Sequence, residues 1–590
     1  MATAGWACVP IAGPALAQQR VQETVVVTGA AVPVPFETLS RTVRVIEREE
    51  IARLPLGSIL DVLRLSAGVD VRARGTHGAQ ADFSVRGAHF GQTLVLVDGV
   101  RLNDAQTGHH NGDWPVTIDQ IERVEILLGP GSSLFGADAV GGTINIVTRT
   151  APGETIVSAG GGELGLASGA FGTGFRVGGI AQRVSVSASR ASGFEVARDF
   201  RTVTAATRTS FGNRTVVSLG LADKAFGANG FYGNSPSREW TRQMAGRVEH
   251  RLVAGSAHGL AALAAFRTHR DRFLWDERQP GIFENRHRTS AAQVALRGHV
   301  ALTPRWRLAG GVEQAADGIR STSLGDHDVS RTGAFAEVQG TAGGRATIAA
   351  GLRADRYSTF GTAWNPSVSA SLWISSATRV RASVARAFRV PTFTERFYRD
   401  PAHRASAELV PERAWSGELA WDWVPHPQWL ATAVVHVRRE RDAIDWVKAR
   451  AQDQWETRNI RSLVTGGVEA GIRRLFGAGA RLSVDYAWTD VSAETLPLLS
   501  KYVLDYARHG LAVSGSAPLA AGVWVGARLD VRQRTGRDAY ALLDVRVSRA
   551  MGRVTVHADA ANLLDVRYQE IRGVNMPGRW LSAGIQWRLP

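Results

Sequence analysis

Lysine is almost missing from this chain: Lys224, Lys448 and Lys501 stand beside a large excess of arginine in 590 residues of formal net charge +15. A protein that binds nucleic acid gathers its positive charge into a patch or stripe. Here the arginines are scattered among Ser, Asp and Glu on alternating segments, which argues against that class and fits side chains facing a wet lumen and an anionic lipopolysaccharide leaflet. The single cysteine, Cys8, excludes an intramolecular disulfide and any site built from several thiols. No window approaches the ~18 consecutive apolar residues that a membrane-spanning helix needs, although 44% of residues are hydrophobic. That pairing excludes a helical membrane protein but not a transmembrane β-barrel, whose strands show lipid only every second residue. Catalytic patterns are missing as well: no Ser-His-Asp set, His-Glu-x-x-His, phosphate-binding Walker loop or paired carboxylates stand out, so an enzyme is not expected.

What the chain does contain falls into zones. Residues 1–17 end in Ala15-Leu16-Ala17, an A-x-A-like signal-peptidase site, although a basic n-region is lacking. A β-prone run, Glu23 to Gly29, follows, and then a proline-containing spacer, Ala30 to Phe36. Up to residue 150 the texture is mixed. Thr42–Ile46, Phe83–Gly87, Leu94–Gly99, Ile121–Leu128 and Thr143–Thr148 predict strands between glycine-rich turns. Ser58 predicts the cap of a helix with Ile59, Leu60 and Leu63 on its apolar face and Gly68 as its stop.

From about residue 153 the pattern becomes sustained period-two alternation. Leu482, Val484, Tyr486 and Trp488 share one face, with Ser483, Asp485, Ala487 and Thr489 opposite. Val523, Val525, Ala527, Leu529 and Val531 alternate with residues that include Arg528, Asp530 and Arg532. Segments of ~10 residues keep this up for about 440 residues, with tryptophans near several segment ends, as in the aromatic girdles of a membrane barrel. At roughly 20 residues per strand and turn the predicted barrel has about 22 strands, a size that is plugged rather than filled by its own side chains. Gly160-Gly161-Gly162-Glu163-Leu164-Gly165 fits a dinucleotide fingerprint, but the glycine-rich stretch after it cannot supply the helix that motif requires, so a hairpin is expected instead.

Several stretches resemble the TonB-dependent receptor family over nearly the whole chain after the signal segment. They are Ala81–Gly87, Leu96–Asp104, Ile121–Gly136 with Ile144–Thr148, and, further on, Ala387–Thr392, Leu409–Glu412 and Asn562–Asp565. Leu128 departs from the pattern, standing where arginine is usual before Gly-Pro. The resemblance implies a transmembrane β-barrel of about 22 antiparallel strands whose lumen is filled by an N-terminal mixed α/β plug. Residues 1–17 are then the signal peptide, 18–36 the TonB box and linker, 37–150 the plug and 151–590 the barrel. It implies a monomer in the bacterial outer membrane, powered by a TonB-type transducer in the periplasm. No cofactor is bound permanently; the imported ligand is a scarce metal chelate or cofactor, a ferric siderophore or cobalamin. A passive porin or a surface adhesin would lack the box and the plug.

Within that frame, Glu23, Thr24, Val25, Val26, Val27 and Thr28 are the expected TonB-binding residues, since an extended valine-rich run can add as a strand to a partner's sheet edge. His109, His110, Asn111 and Trp114 of one plug loop, with His77 and Gln80 of another, are expected to touch the ligand through imidazoles, amides and a stacking indole. Adjacent histidines on one short loop tend to point apart, so a site with both as metal ligands is not expected. Arg86, Glu122, Arg123 and Glu125 are expected to join plug to barrel wall. Candidate loops at Phe226–Trp240 and His269–His287 carry aromatics and charges suited to a large ligand with flat and polar surfaces.

Overall fold

The computed structural model describes residues 25–26, 28–150, 153–233, 235–493, 498–520 and 522–589. The signal segment and Glu23, Thr24 and Val27 of the β-prone run lie outside them. Among the described residues, 22 antiparallel strands close into one barrel, the first (Gly153–Gly162) pairing with the last (Trp580–Leu589). Short turns such as 178–179, 343–345 and 552–553 join the strands at the end where the chain enters, and longer segments such as 192–199, 275–283, 390–411 and 562–579 join them at the other. In outer-membrane barrels the short turns are periplasmic and the long loops extracellular, which fixes an inner and an outer end.

The alternation is inside-out compared with a soluble sandwich. Leu482 and Tyr486 face outward while Ser483 and Thr489 are buried, and Arg528, Asp530 and Arg532 point into the lumen from one strand, Val523–Arg534. Trp421, Trp423 and Trp587 are exposed near the inner end, and Trp364 and Trp415 near the outer end, as two interfacial girdles require. Strand length departs from the ~10 residues expected. Strands from Arg238 to Ala342 run 16–18 residues, and the longest, Trp455–Leu475, has 21. Since 9–11 tilted residues cross the hydrocarbon core, the surplus rises beyond the membrane. There the outward positions are charged, as in the ion pairs that Glu284 makes with Arg272 and Arg286. The glycine-rich run 160–165 turns through Leu164 (φ +60°) and Gly165 (φ +68°) straight into the strand Leu166–Val177, so it is a hairpin with no helix after it.

A mixed domain fills the lumen, which is therefore not an open pore. Its five-stranded sheet has the order Val43–Glu47, Ile121–Leu128, Gly142–Thr148, Thr93–Val97, Val100–Arg101, with a separate pair, Val69–Ala73 and Ala81–Val85. Ile46, Leu63, Phe83, Val95, Ile126 and Ile144 form its core. The helix is Ile59–Leu63, held by a reciprocal capping box between Ser58 and Asp61. It ends at Leu63, short of the expected stop. Gly68 serves closeness to the barrel wall instead: a Cβ there would sit 2.8 Å from Glu469 Oε1.

Candidate functional site

The seam between plug and barrel is laced with arginine–carboxylate pairs, and this accounts for arginine at the expense of lysine, since only the guanidinium fork grips a carboxylate with two bonds at once. Arg534 donates to both oxygens of Asp70 at 2.7 and 2.9 Å, Arg64 pairs with Glu570 at 2.7 Å, and Arg41 with Glu337 at 3.1 Å. Burial alone would raise the Asp70 carboxyl; Arg534 outweighs it and holds the group below the ordinary carboxylate range. Arg86 of the plug bridges two barrel carboxylates at once. It donates to Glu469 at 2.9 and 2.7 Å, to Glu418 at 2.8 Å and to the Leu128 carbonyl at 2.9 Å, from a left-handed backbone of φ +52°.

At the outer end, plug and barrel enclose a chamber of about 210 Å³. Its plug side is two short turns, Phe90–Gln92 and Gly108–His110, each fixed by a cap: His89 Nδ1 accepts from Gly91 N–H, and Thr107 Oγ1 from His109 N–H. Its barrel side is aromatic, with Tyr232, Phe273, Trp275, Tyr398, Trp446 and Tyr502. Phe90 stacks on His109 at 4.5 Å and meets Tyr502 edge-on at 5.3 Å. Arg389 ties the chamber's other wall by forking onto both Glu395 and Glu412 at 2.7–2.9 Å, which anchors the loop helix Phe393–Phe397. The two adjacent histidines diverge. His109 meets Asp82 at 2.6 Å, and burial there outweighs the carboxylate, so its pKa is lowered. For His110 burial also pulls downward, but Asp271 and then Glu239 overcome it and push the value up to about 10.

The residues singled out from sequence scatter across this geometry. His109 and His110 line the chamber. Gln80 stands behind it, with Nε2 donating to Glu239 at 3.4 Å and Oε1 accepting from Tyr232 at 3.0 Å. His77 packs instead against Phe200 and Trp580 at 5.5 and 4.9 Å. Asn111 is buried and accepts from Asp104 N–H. Trp114 is only 6% exposed and packs on Phe83 in the plug core, because the chain turns inward again at Asp113-Trp114. Arg86 reaches the barrel, whereas Arg123 pairs with Glu125 inside the plug, and Glu122 lies 3.9 Å from Arg149. Val25 and Val26 pair antiparallel with Val34–Pro35, and buried Thr28 donates to Glu125 at 2.6 Å. Of the residues in the two expected loops, 226–240 and 269–287, Tyr232 and Trp275 do lie in loops, whereas Glu239 and Asp271 stand on the strands Arg238–Ala254 and His258–Leu274; all four line the chamber. Arg389 lies in the family stretch Ala387–Thr392 but was not expected at the site, and Trp446 and Tyr502 were not anticipated; they meet only because the barrel closes, and no local pattern marks the two aromatics.

Comparison with known proteins adds the family. The sequence model of the TonB-dependent Receptor Plug Domain matches residues 36–143, and that of the TonB dependent receptor-like β-barrel matches residues 156–563. The chain belongs to the TonB-dependent receptor family. Members of this family are transporters and receptors, and this receptor is placed in the bacterial outer membrane. The vitamin B12 transporter BtuB of Vibrio vulnificus strain YJ016 is 27% identical to it over 599 residues, 93% of this chain and 92% of that one. The transporter of the same name from strain CMCP6 is 40% identical over 149 residues, 25% of this chain and 24% of its own length. The siderophore receptor PirA from Acinetobacter baumannii shares the fold of the receptor at a TM-score of 0.78 and 16% identity, covering 94% of this chain and 99% of its own.

Proposed function

We propose that this receptor imports a ferric siderophore or cobalamin across the outer membrane, as a monomer whose outer rim meets lipopolysaccharide, with TonB engaging residues 23–28. The outer chamber carries the reading. It opens away from the membrane above a plug that closes the lumen, and it combines flat aromatic faces with fixed charges, which suits a rigid ligand having both kinds of surface. The alignment with vitamin B12 transporters along nearly the whole chain supports cobalamin within that pair. His109 and His110 are the ligand contacts from the plug; Tyr232, Trp446 and Tyr502 offer stacking faces from the barrel. Residues 37–150 act as the plug and 151–590 as the barrel. Thr28 ties the box to the plug through Glu125, so a pull on the box is felt by the sheet.

Uptake of radiolabelled cobalamin against ferric siderophores in a receptor-deficient host tests the substrate. Energised accumulation of one of them is expected; accumulation of neither refutes the reading. For the transducer joint, Val26→Pro removes a backbone donor from the pairing strand. Whole cells should still bind the ligand but stop accumulating it, and undiminished accumulation by Val26→Pro would remove TonB pairing at this segment from the account.

A further inference from the structure

Two buried carboxylates, Glu239 and Asp271, line the chamber floor, and two more, Asp104 and Asp113, are buried beneath it. The deeper two have their own cations: Arg267 lies 2.6 Å from Asp104, and Lys224 2.9 Å from Asp113. Among the described residues no arginine or lysine stands within ion-pairing distance of Glu239 or Asp271; His110 lies between them, its Nδ1 3.8 Å from Glu239 and its Nε2 3.4 Å from Asp271, with His287 and His269 farther from Asp271. Buried carboxylates without matching countercharge are costly. Asp271 Oδ1 is in addition buried with no hydrogen-bond partner. The ligand atoms of His110, Glu239 and Asp271 lie within 4.8 Å of one another. Tetrahedral ligands about 2.0–2.2 Å from a zinc-sized ion are roughly 3.3–3.6 Å apart, so the spacing of His110 Nε2 and Asp271 already fits, and Glu239, which now approaches the other ring nitrogen, reaches the same ion by side-chain rotation.

We propose that His110 of the plug, with Glu239 and Asp271 of the barrel wall, binds a divalent first-row transition-metal ion in the floor of the chamber. One imidazole and two carboxylates suit zinc(II), cobalt(II) or iron(II), whereas calcium favours an all-oxygen shell and copper(I) wants sulfur. Gln106 donates to Asp271 at 3.1 Å and Gln80 to Glu239 at 3.4 Å, so plug amides orient both acids. All three ligands line the chamber, which leaves the remaining coordination position facing outward for water or an exchangeable ligand. A chelate that already saturates its metal offers no position to such a site. The ion bound here is therefore a free or weakly complexed one, and it bridges the seam between plug and barrel. This inference goes beyond the proposed import of a chelate and stands on separate residues.

The test uses the tag-free, full-length receptor in detergent, stripped with a chelator and titrated with zinc(II) by calorimetry and with cobalt(II) by visible absorption. One equivalent of zinc is expected, and cobalt should give the intense bands of a four-coordinate N/O site. Glu239→Gln and Asp271→Asn preserve shape and should each weaken zinc binding at least roughly tenfold with heat-modifiable mobility unchanged, as should His110→Ala. Asp400→Asn, elsewhere on the chamber wall, should leave zinc binding alone. Absence of a stoichiometric site, or affinity unchanged in both isosteric variants, overturns the proposal and leaves His110 as an ion-pair partner only. Cobalamin or siderophore uptake is scored in parallel. Uptake without zinc binding defeats this inference alone, and zinc binding without uptake of either chelate defeats the proposed function alone.

Discussion

Replacing Arg86 by alanine should loosen the plug more than any other single change at the seam. The side chain makes three bonds to Glu418 and Glu469 and one to the Leu128 carbonyl, and all three charged groups are buried or nearly so. Breaking a buried pair by removing one partner costs about 3–5 kcal/mol, because the orphaned charge stays desolvated. Arg86 also sits at φ +52°, a backbone region that costs a residue with a Cβ about 1 kcal/mol and that glycine adopts freely. Arg86→Gly should therefore lose about 1 kcal/mol less than Arg86→Ala, although both remove the same bonds. Urea is expected to unseat the plug before it melts the barrel, and single-channel conductance in a planar bilayer reports that event. At about 2 kcal/mol per molar urea, Arg86→Ala should open at roughly 1.5–2.5 M less urea than the parent, and Arg86→Gly at an intermediate value. An opening midpoint that does not move in Arg86→Ala refutes the view that this cluster holds the plug.

Deleting residues 37–150 should leave a folded barrel with larger, less selective conductance; unchanged conductance counts against a plug. Trp114→Ala should destabilise the plug by about 3–5 kcal/mol as a core cavity, read as a lower urea midpoint for opening, whereas a fully stable plug with weakened ligand binding would return Trp114 to the chamber. The seam should also respond to acid with a definite sign. The folded pKa of Asp70 is depressed, so its contribution is complete above the unfolded carboxylate value of about 3.9 and fades as pH falls below it. The difference in urea midpoint between the parent and Asp70→Asn should be flat from pH 8 to about pH 5 and shrink below about pH 4; a difference that shrinks near pH 6 would contradict the assignment. Tyr502→Ala should weaken binding of the imported chelate by roughly tenfold, the worth of one stacking surface, and equilibrium binding in whole cells measures it.

Much of the architecture was legible because a membrane barrel writes its geometry into neighbouring residues. The alternation of Leu482, Val484, Tyr486 and Trp488 with Ser483, Asp485 and Thr489 already separates the lipid face from the lumen face, whatever the strand pairs with. Ser58 and Asp61 likewise declare a helix start over four residues. Strand length was misjudged, because residues beyond the bilayer keep the same alternation and only exchange apolar for charged outward positions. The site was legible in part. A polar loop such as 107–114 signals exposure, but whether Trp114 turns out to a ligand or in to Phe83 depends on the packing of a distant strand. Trp446 and Tyr502 reach the chamber from strands and loops more than 300 residues from His110, and such proximity leaves no trace in local composition.

The attachment of Thr28 has a mechanical consequence. Thr28 meets the plug at one corner, and the first strand of the five-stranded sheet that follows, Val43–Glu47, is an edge strand held on one side by Ile121–Leu128. A load applied at residue 28 therefore meets its bonds in series: Glu125 and Asn145 at Thr28, then Glu337 at Ala31 and Arg41, then the backbone pairs of the edge strand. Bonds loaded in series yield one at a time, each at a force set by a single interaction, whereas a load shared across the whole seam would have to break many guanidinium forks at once. The same domain is thus stiff against osmotic pressure, which pushes on all of it, and compliant to a tug on its thread.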